Sequence, residues 1–194
     1  MEKTQIAVAL IVLSSLVVLC MSSASAAPAA GNDNIYVNNS YGNDSWDGLT
    51  WETAKLTIKN ATETVNNGGT VNIGEGTYSG AGNTGITLTK NMNINGAGMD
   101  KTIINGTDST RIFYIDPGCT VNINGLTFTN CKSYIGGAIL NYGNLNVDYC
   151  KFTKCSTPNA FMGGGSAIAS GDYATLNVKN SIFLGNDASS STSG

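Results

Sequence analysis

Side chains suited to acid–base or metal chemistry are few in this sequence, and none of them falls into a catalytic motif. The chain has no histidine, the commonest general base and metal ligand. Polysaccharide hydrolases need paired carboxylates, but the carboxylates here do not share a position in the repeat described below. They are Glu75, Asp100, Asp108, Asp116, Asp148, Asp172 and Asp187. Arg111 reads as a surface residue rather than a proton abstractor, so we predict no catalytic residue, metal site or cofactor.

The segment GNDSWDG at residues 42–48 is the one stretch that resembles a calcium loop. Asn43, Ser45, Asp47 and Gly48 fall at EF-hand-like positions, but Ala54 stands where the closing glutamate belongs. We therefore interpret the segment as a turn that leads into a helix.

Three aromatic residues, Tyr41, Trp46 and Trp51, lie in or near this turn. They could stack on sugar rings. We favour the alternative that they seal the junction between a cap and the first repeat.

The N-terminus predicts export. A short charged start, an apolar run from Ile6 to Met21 and the A-x-A signal at 24–26 indicate a signal peptide over residues 1–26, cleaved after Ala26. No second apolar stretch follows, so we expect no membrane span in the mature chain. The acidic balance, 10 Lys+Arg against 13 Asp+Glu, argues against nucleic acid as a partner.

Export would expose the remaining cysteines to oxidation and the sequons to glycosylation. Cys131 and Cys155 occupy the same repeat position in neighbouring coils, so we expect them either to form a disulfide or to stack as buried thiols. Cys150 aligns with Leu126 and is interpreted as an inward-facing apolar substitute. Candidate glycosylation sites are Asn38, Asn43, Asn60 and Asn105.

An apolar-Asn-apolar triplet recurs five times, at intervals of 21 to 31 residues. Its asparagines are Asn72, Asn93, Asn122, Asn146 and Asn177. The apolar residues on either side of each asparagine predict two inward columns, because side chains alternate along a strand. A third column contains Tyr78, Ile103, Phe128, Phe152 and Phe183. We read the five asparagines as an outward ladder of stacked amides that holds the register, in preference to a binding site.

Each repeat holds about three short strands joined by Gly, Asn and Asp, which is the composition of one coil of a parallel β-helix. The apolar stripe between residues 53 and 67 predicts a capping helix. We therefore predict an all-β, right-handed parallel β-helix of about five coils over residues 70–187. Residues 27–69 would form a strand, loop and capping helix, and residues 188–194 a disordered tail. We expect the C-terminal coil to be uncapped, the chain to be truncated there, and end-to-end association through that coil.

Several segments resemble known β-helix proteins. IYVNNSYGNDSWDGLTWETAKLTIKNATETVNNGGTVNIGEGTY (35–78) resembles the start of right-handed β-helices of the pectate-lyase-like superfamily, and INGAGMDKTIING (94–106) is similar to its second-coil pattern. GGAI (136–139) with F-x-x-N resembles repeats of polymorphic outer-membrane proteins and of adhesin-like surface proteins of methanogenic archaea. Cys131 and Cys155 depart from this pattern, since they replace its asparagine.

The resemblance implies secretion and a place on the outer surface of the cell. We expect a non-enzymatic, adhesin-like glycoprotein that presents a polar face to extracellular glycans or other cells. The alternatives are the N-terminal part of a polysaccharide lyase, hydrolase or esterase with its active site in missing coils, and a structural stalk.

Overall fold

Fifteen short strands and one helix build residues 31–158 and 165–188, the part of the chain that the computed structural model describes. Sheet 1 contains β1 (Asn34–Val37), β2 (Thr70–Ile73), β5 (Met92–Gly96), β8 (Thr120–Asn124), β11 (Asn144–Asp148) and β14 (Thr175–Lys179). Sheet 2 contains β3 (Gly76–Ser79), β6 (Thr102–Asn105), β9 (Thr127–Thr129), β12 (Lys151–Thr153) and β15 (Ile182–Leu184). Sheet 3 contains β4 (Ile86–Leu88), β7 (Phe113–Ile115), β10 (Ile139–Asn141) and β13 (Ile168–Ser170).

Every one of these strands pairs in parallel with the strand one coil away, so the fold is a parallel β-solenoid. Four coils have all three strands, and β14 and β15 begin a fifth. The predicted β-helix is thus confirmed with about four turns rather than five. The right-handed sense stays a prediction, in line with the hand that parallel crossovers almost always adopt. The predicted signal peptide and residues 189–194 of the predicted tail lie outside the described residues.

The inward columns of sheet 1 follow the triplet from the second coil onward. Val121 lies beside Met92 and Leu145, and the aliphatic residues of these rows are buried as far as β11. Between β2 and β5 the predicted register is wrong by two residues, because Val71 pairs with Ile94 instead of Met92. A shift of two leaves every side chain on its own face, so alternation alone does not distinguish the two registers.

The column of large side chains runs through sheet 2. Its second-coil member is Ile104, not the predicted Ile103, because Ile104 is fully buried and pairs with Tyr78 and Phe128. The ring of Phe152 stacks on those of Phe128 and Phe183, with centroids 4.8 Å apart and planes 9° from parallel in both pairs. Each coil therefore adds one layer to a continuous interior stack.

The helix, α1 (Ile58–Thr64), is shorter than the predicted stripe. Its Ile58 and Ala61 are fully buried, as is Val65 just after it. The Thr57 hydroxyl caps its start by accepting a hydrogen bond from the amide of Asn60. The residues before Thr57 are not helical, because they pair with β1 instead.

The outer edge of β1 is covered by the chain that leads to α1. The Tyr36 amide donates to the Gly48 carbonyl at 2.8 Å, and the amides of Lys55 and Asn38 bond the Tyr36 and Lys55 carbonyls at 2.8 and 2.9 Å. A bare edge would template pairing with another chain. The N-terminal end is therefore closed by both the helix and this loop. Within the described ranges no helix is long and apolar enough to cross a bilayer.

The chain turns from one sheet to the next through residues in the left-handed region. After sheet 1 the turning residues are Gly125, Tyr149 and Asn180, and after sheet 2 they are Asn130, Lys154 and Gly185, all with φ between 45° and 69°. Such a φ is strained for side chains other than glycine. The left-handed backbone conformation at each corner recurs from coil to coil, whereas the type of residue that adopts it does not.

Lys154→Gly should stabilise the protein, because Lys154 has φ 54° and its counterpart in the next coil, Gly185, is already glycine. We expect a gain of about 1 kcal/mol in the free energy of unfolding and a melting temperature higher by roughly 2–4 °C, measured by circular dichroism. Lys151→Gly, within β12, is the matched control and should lower the melting temperature. An unchanged or lower value for Lys154→Gly would contradict the strain argument.

Candidate ligand-binding face

The outer surface of sheet 1 is a polar face, and one row of it is an amide ladder. We call Asn93, Asn122, Asn146 and Asn177 the seam row. Each amide nitrogen donates to the side-chain oxygen of the preceding coil, at 2.8 Å for Asn122 to Asn93, 2.8 Å for Asn146 to Asn122 and 2.9 Å for Asn177 to Asn146. The donors all point toward the N-terminal end, so the row is one continuous hydrogen-bonded chain.

Asn72 does not belong to this ladder, although the triplet predicts it. The register between β2 and β5 puts Thr70 beside Asn93, and the Asn93 amide donates to the Thr70 hydroxyl at 3.3 Å. Asn72 pairs instead with Asn95. The predicted five-membered ladder is corrected to four amides that end on a threonine.

Asn72 begins a second row, which we call the open row. Its members are in register across six strands of sheet 1, and they are Tyr36, Asn72, Asn95, Asn124, Asp148 and Lys179. In the described part of the chain the amides of Asn72, Asn95 and Asn124 make no side-chain hydrogen bond, and Asn124 is exposed. An asparagine amide can donate two hydrogen bonds and accept two. The open row therefore presents unused amide donors and acceptors at three successive coils, about 4.8 Å apart.

An aromatic pair stands at the N-terminal end of the open row. The rings of Tyr36 and Trp51 have centroids 4.7 Å apart at an interplanar angle of 60°, and 40% of Trp51 is exposed. Gly74 lies under Trp51, since a Cβ atom there would come 3.3 Å from Cζ3 of the indole. We call Tyr36 and Trp51 the aromatic platform. Trp46 and Tyr41 are also partly exposed, so these aromatics only partly seal the junction.

The loop over residues 42–48 encloses a lysine ammonium where a calcium loop would enclose its ion. Lys55, only 6% exposed, donates from Nζ to the carbonyl oxygens of Asp44 and Trp46. The Asp44 carboxylate accepts from the amides of Leu56 and Thr57, both at 2.9 Å, just before α1. The loop's oxygens thus serve an internal cation and the helix start, as the turn interpretation predicts.

Asp47 has a structural partner set of its own. The amide of Leu49 and the hydroxyl of Thr53 donate to its Oδ1 at 3.0 and 2.6 Å, and these two bonds lower the pKa of Asp47. Through these two bonds the Asp47 carboxylate stabilises the turn that contains Trp51.

The other residues that could take part in acid–base or metal chemistry do not cluster in the described structure. Across residues 31–158 and 165–188, no three His, Cys, Asp or Glu side chains gather into a group able to hold a metal ion. Arg111 is half-buried rather than on the surface: its guanidinium donates to the carbonyls of Gly136 and Ile135 and to the Ser133 hydroxyl. Partial burial lowers the pKa of Arg111. These hydrogen bonds link the corner before β7 to the corner before β10 in the next coil.

The four described cysteines, Cys119, Cys131, Cys150 and Cys155, are buried thiols. Cys131 and Cys155 are neighbours across coils as predicted, since the Ser156 amide donates to the Cys131 carbonyl at 2.8 Å. The neighbouring Cys155 thiol, with burial, raises the pKa of Cys131. Cys150 faces the core, where burial raises its pKa to about 11. Whether oxidation joins Cys131 to Cys155 stays a prediction.

The four candidate glycosylation sites differ in access. Asn43 is exposed, with its side-chain oxygen accepting from the Ser45 amide at 2.9 Å, while Asn38, Asn60 and Asn105 are half-buried. Their use stays a prediction.

The open row escaped sequence reasoning because aligning the triplets placed Asn72 in the wrong row. One signal was present: Asp148 follows its triplet directly, with Asn124 and Lys179 at the matching positions, and the structure pairs these three residues.

The chain matches no known protein-family model, and neither a curated protein nor a solved structure shows significant similarity to it. The assignment that stands is therefore that of the fold, a parallel β-solenoid with one polar face built from amide rows.

Asn122→Ala should lower the melting temperature, because Asn122 both donates to Asn93 and accepts from Asn146. We expect a loss of about 1 kcal/mol in the free energy of unfolding, and a similar loss for Asn146→Ala, measured by thermal denaturation. Asn124→Ala is the matched control on the same strand and should change stability little. Unchanged stability of Asn122→Ala, together with lost glycan binding, would show that the seam row is a binding surface.

For the Cys131–Cys155 pair, we predict a cross-linked peptide in the unreduced protein, with Cys119 and Cys150 alkylated after unfolding. Mass spectrometry with and without reduction measures this directly. Alkylation of all four thiols in unreduced protein purified from an oxidising compartment would contradict the disulfide.

Proposed function

We propose that this chain is an exported, non-enzymatic, adhesin-like protein of the cell surface that binds glycans through the polar face of sheet 1. The observation that carries the proposal is the open row. It offers Asn72, Asn95 and Asn124 with unused amide groups, and it ends on the aromatic platform.

This combination suits a sugar chain lying along the solenoid axis. Tyr and Trp present an apolar ring face together with a polar group, which matches the two kinds of surface on a sugar ring. The free amides of three successive coils can donate to and accept from hydroxyl groups. Because the solenoid repeats these amide groups from coil to coil, binding would be spread over several weak contacts.

The charge of the face favours an uncharged glycan. The open row has three neutral amides in succession, and its two ionic residues, Asp148 and Lys179, lie side by side with opposite sign. Sulfated or uronic-acid polymers would call for clustered basic residues. The proposed ligand class is therefore neutral oligosaccharides.

Export and surface location are supported by the sequence over residues 1–26, by the sequons and by the resemblance to adhesin-like β-helix surface proteins and to the pectate-lyase-like superfamily. The seam row gives specific support to one alternative, a structural stalk, because its amides satisfy one another without a ligand. The enzyme alternative places its active site in coils beyond those described.

The test is a glycan array probed with residues 27–194. We expect binding to neutral oligosaccharides and a loss of about tenfold or more in affinity for Asn95→Ala/Asn124→Ala, with the melting temperature preserved. Trp51→Ala should also lose binding. The matched control, Asn122→Ala, should lose stability while keeping affinity at a temperature where it is folded.

Two results would overturn the proposal. One is an array on which the folded wild-type chain binds no glycan, which would leave the stalk. The other is release of reducing or unsaturated sugars from pectin-like polysaccharides by the purified chain, which would establish the enzyme.

A further inference from the structure

The end of the solenoid formed by β13, β14 and β15 leaves its core columns uncovered. Leu176, Val178 and Phe183 are 40%, 39% and 48% exposed, whereas the preceding members of the same columns, Leu145, Val147 and Phe152, are at most 1% exposed. Ile168 and Ala167 join them around one open concave surface. Apolar surface of this kind, rimmed by polar strands, indicates a contact site.

The opposite end offers no matching surface. There α1 and the loop that ends at Lys55 cover the first coil, and the edge of β1 is already hydrogen-bonded. Head-to-tail stacking of one copy on the next would set apolar columns against a closed polar cap. Among residues 31–158 and 165–188, this end is an apolar surface whose strand edge is unpaired, so the same end of a second copy can match it.

Strand β14, Thr-Leu-Asn-Val-Lys, is self-complementary in the antiparallel direction. A two-fold axis through Asn177 puts Leu176 opposite Val178 of the second copy, so apolar side chains meet on the inward face. On the outward face Thr175 comes opposite Lys179, which keeps the two ammonium groups apart. An antiparallel strand at the edge of a parallel sheet is a common arrangement.

The seam row also suits this pairing. Asn177 donates to Asn146, and in the described residues its side-chain oxygen and second N–H have no partner. Two such amides facing each other across a two-fold axis can each donate to and accept from the other. The ladder of one copy would then continue into that of the second.

We propose that this end binds a second copy of the chain, through antiparallel pairing of β14 with β14 about a two-fold axis at Asn177. The occupant is argued from the self-complementary strand β14 and from the closed opposite end. The dimer joins two six-stranded sheets into one, with an aromatic platform at each far end. That arrangement makes the assembly bivalent.

Residues 27–194 should be dimeric by sedimentation equilibrium, and charge at position 175 should tune the dissociation constant with opposite signs. Thr175→Glu faces Lys179 of the second copy and should tighten the dimer roughly threefold to tenfold, while Thr175→Lys should loosen it by a similar factor. Both variants lose the same hydrogen bond from Thr175 to Asn144, so this loss does not distinguish them.

A cysteine pair tests the axis itself. Asn177→Cys should give a disulfide-linked dimer under mild oxidation, because residue 177 faces itself within the reach of a disulfide. Lys179→Cys is the control and should not cross-link, since its copies lie on the order of 13 Å apart.

A monomer at 100-fold the concentration used for thermal melts, or a dimer in which Asn177→Cys fails to cross-link, overturns the proposal. So does a dimer that is insensitive to charge at position 175 but lost in Phe161→Ser/Met162→Ser, which would assign the contact to residues 159–164. None of these results depends on glycan binding, so they leave the proposed function to its own test.

Discussion

The whole structure depends on one constraint, the parallel pairing of each strand with its counterpart one coil away. This pairing repeats at about 4.8 Å and stacks like on like, so aliphatic side chains meet in sheet 1 and phenyl rings stack in sheet 2. It also brings one asparagine amide within hydrogen-bond distance of the next. Burial, ring stacking and the amide ladder are therefore three consequences of one register, and a one-residue slip in any coil would break all three.

The two outward rows of sheet 1 differ in how their amide groups are hydrogen-bonded. In the seam row Asn93, Asn122 and Asn146 each use a donor and an acceptor on the neighbouring coils and Asn177 uses a donor, which holds the coils in register. In the open row the amides of Asn72, Asn95 and Asn124 keep theirs, and the Tyr36–Trp51 pair stands at the row's end. Both rows contain the same residue type on the same face, so their difference lies in which neighbours the register supplies.

One end of the solenoid is capped, whereas the other end leaves its core columns exposed. At the first coil, Lys55 organises the loop, Asp44 bonds the start of α1, and the strand edge is paired. At the other end the same core columns continue into β14 and β15 and remain exposed. A stack of coils extends until something caps it, and a second copy of a self-complementary strand is one such cap.

Alternation, the recurring triplet and the spacing of the aromatic residues determined the solenoid fold, the inward columns beyond the first coil, the buried stripe of the cap and the nearness of Cys131 to Cys155. These are local properties of period two and of repeat length, which a sequence displays directly. Only the tertiary structure decided that Val71 lies beside Ile94, that Ile104 rather than Ile103 enters the core, and that Asn72 belongs to the open row. A two-residue shift preserves the face of every side chain, so the hydrophobic pattern does not distinguish the two registers, and the backbone pairing between neighbouring coils decides between them.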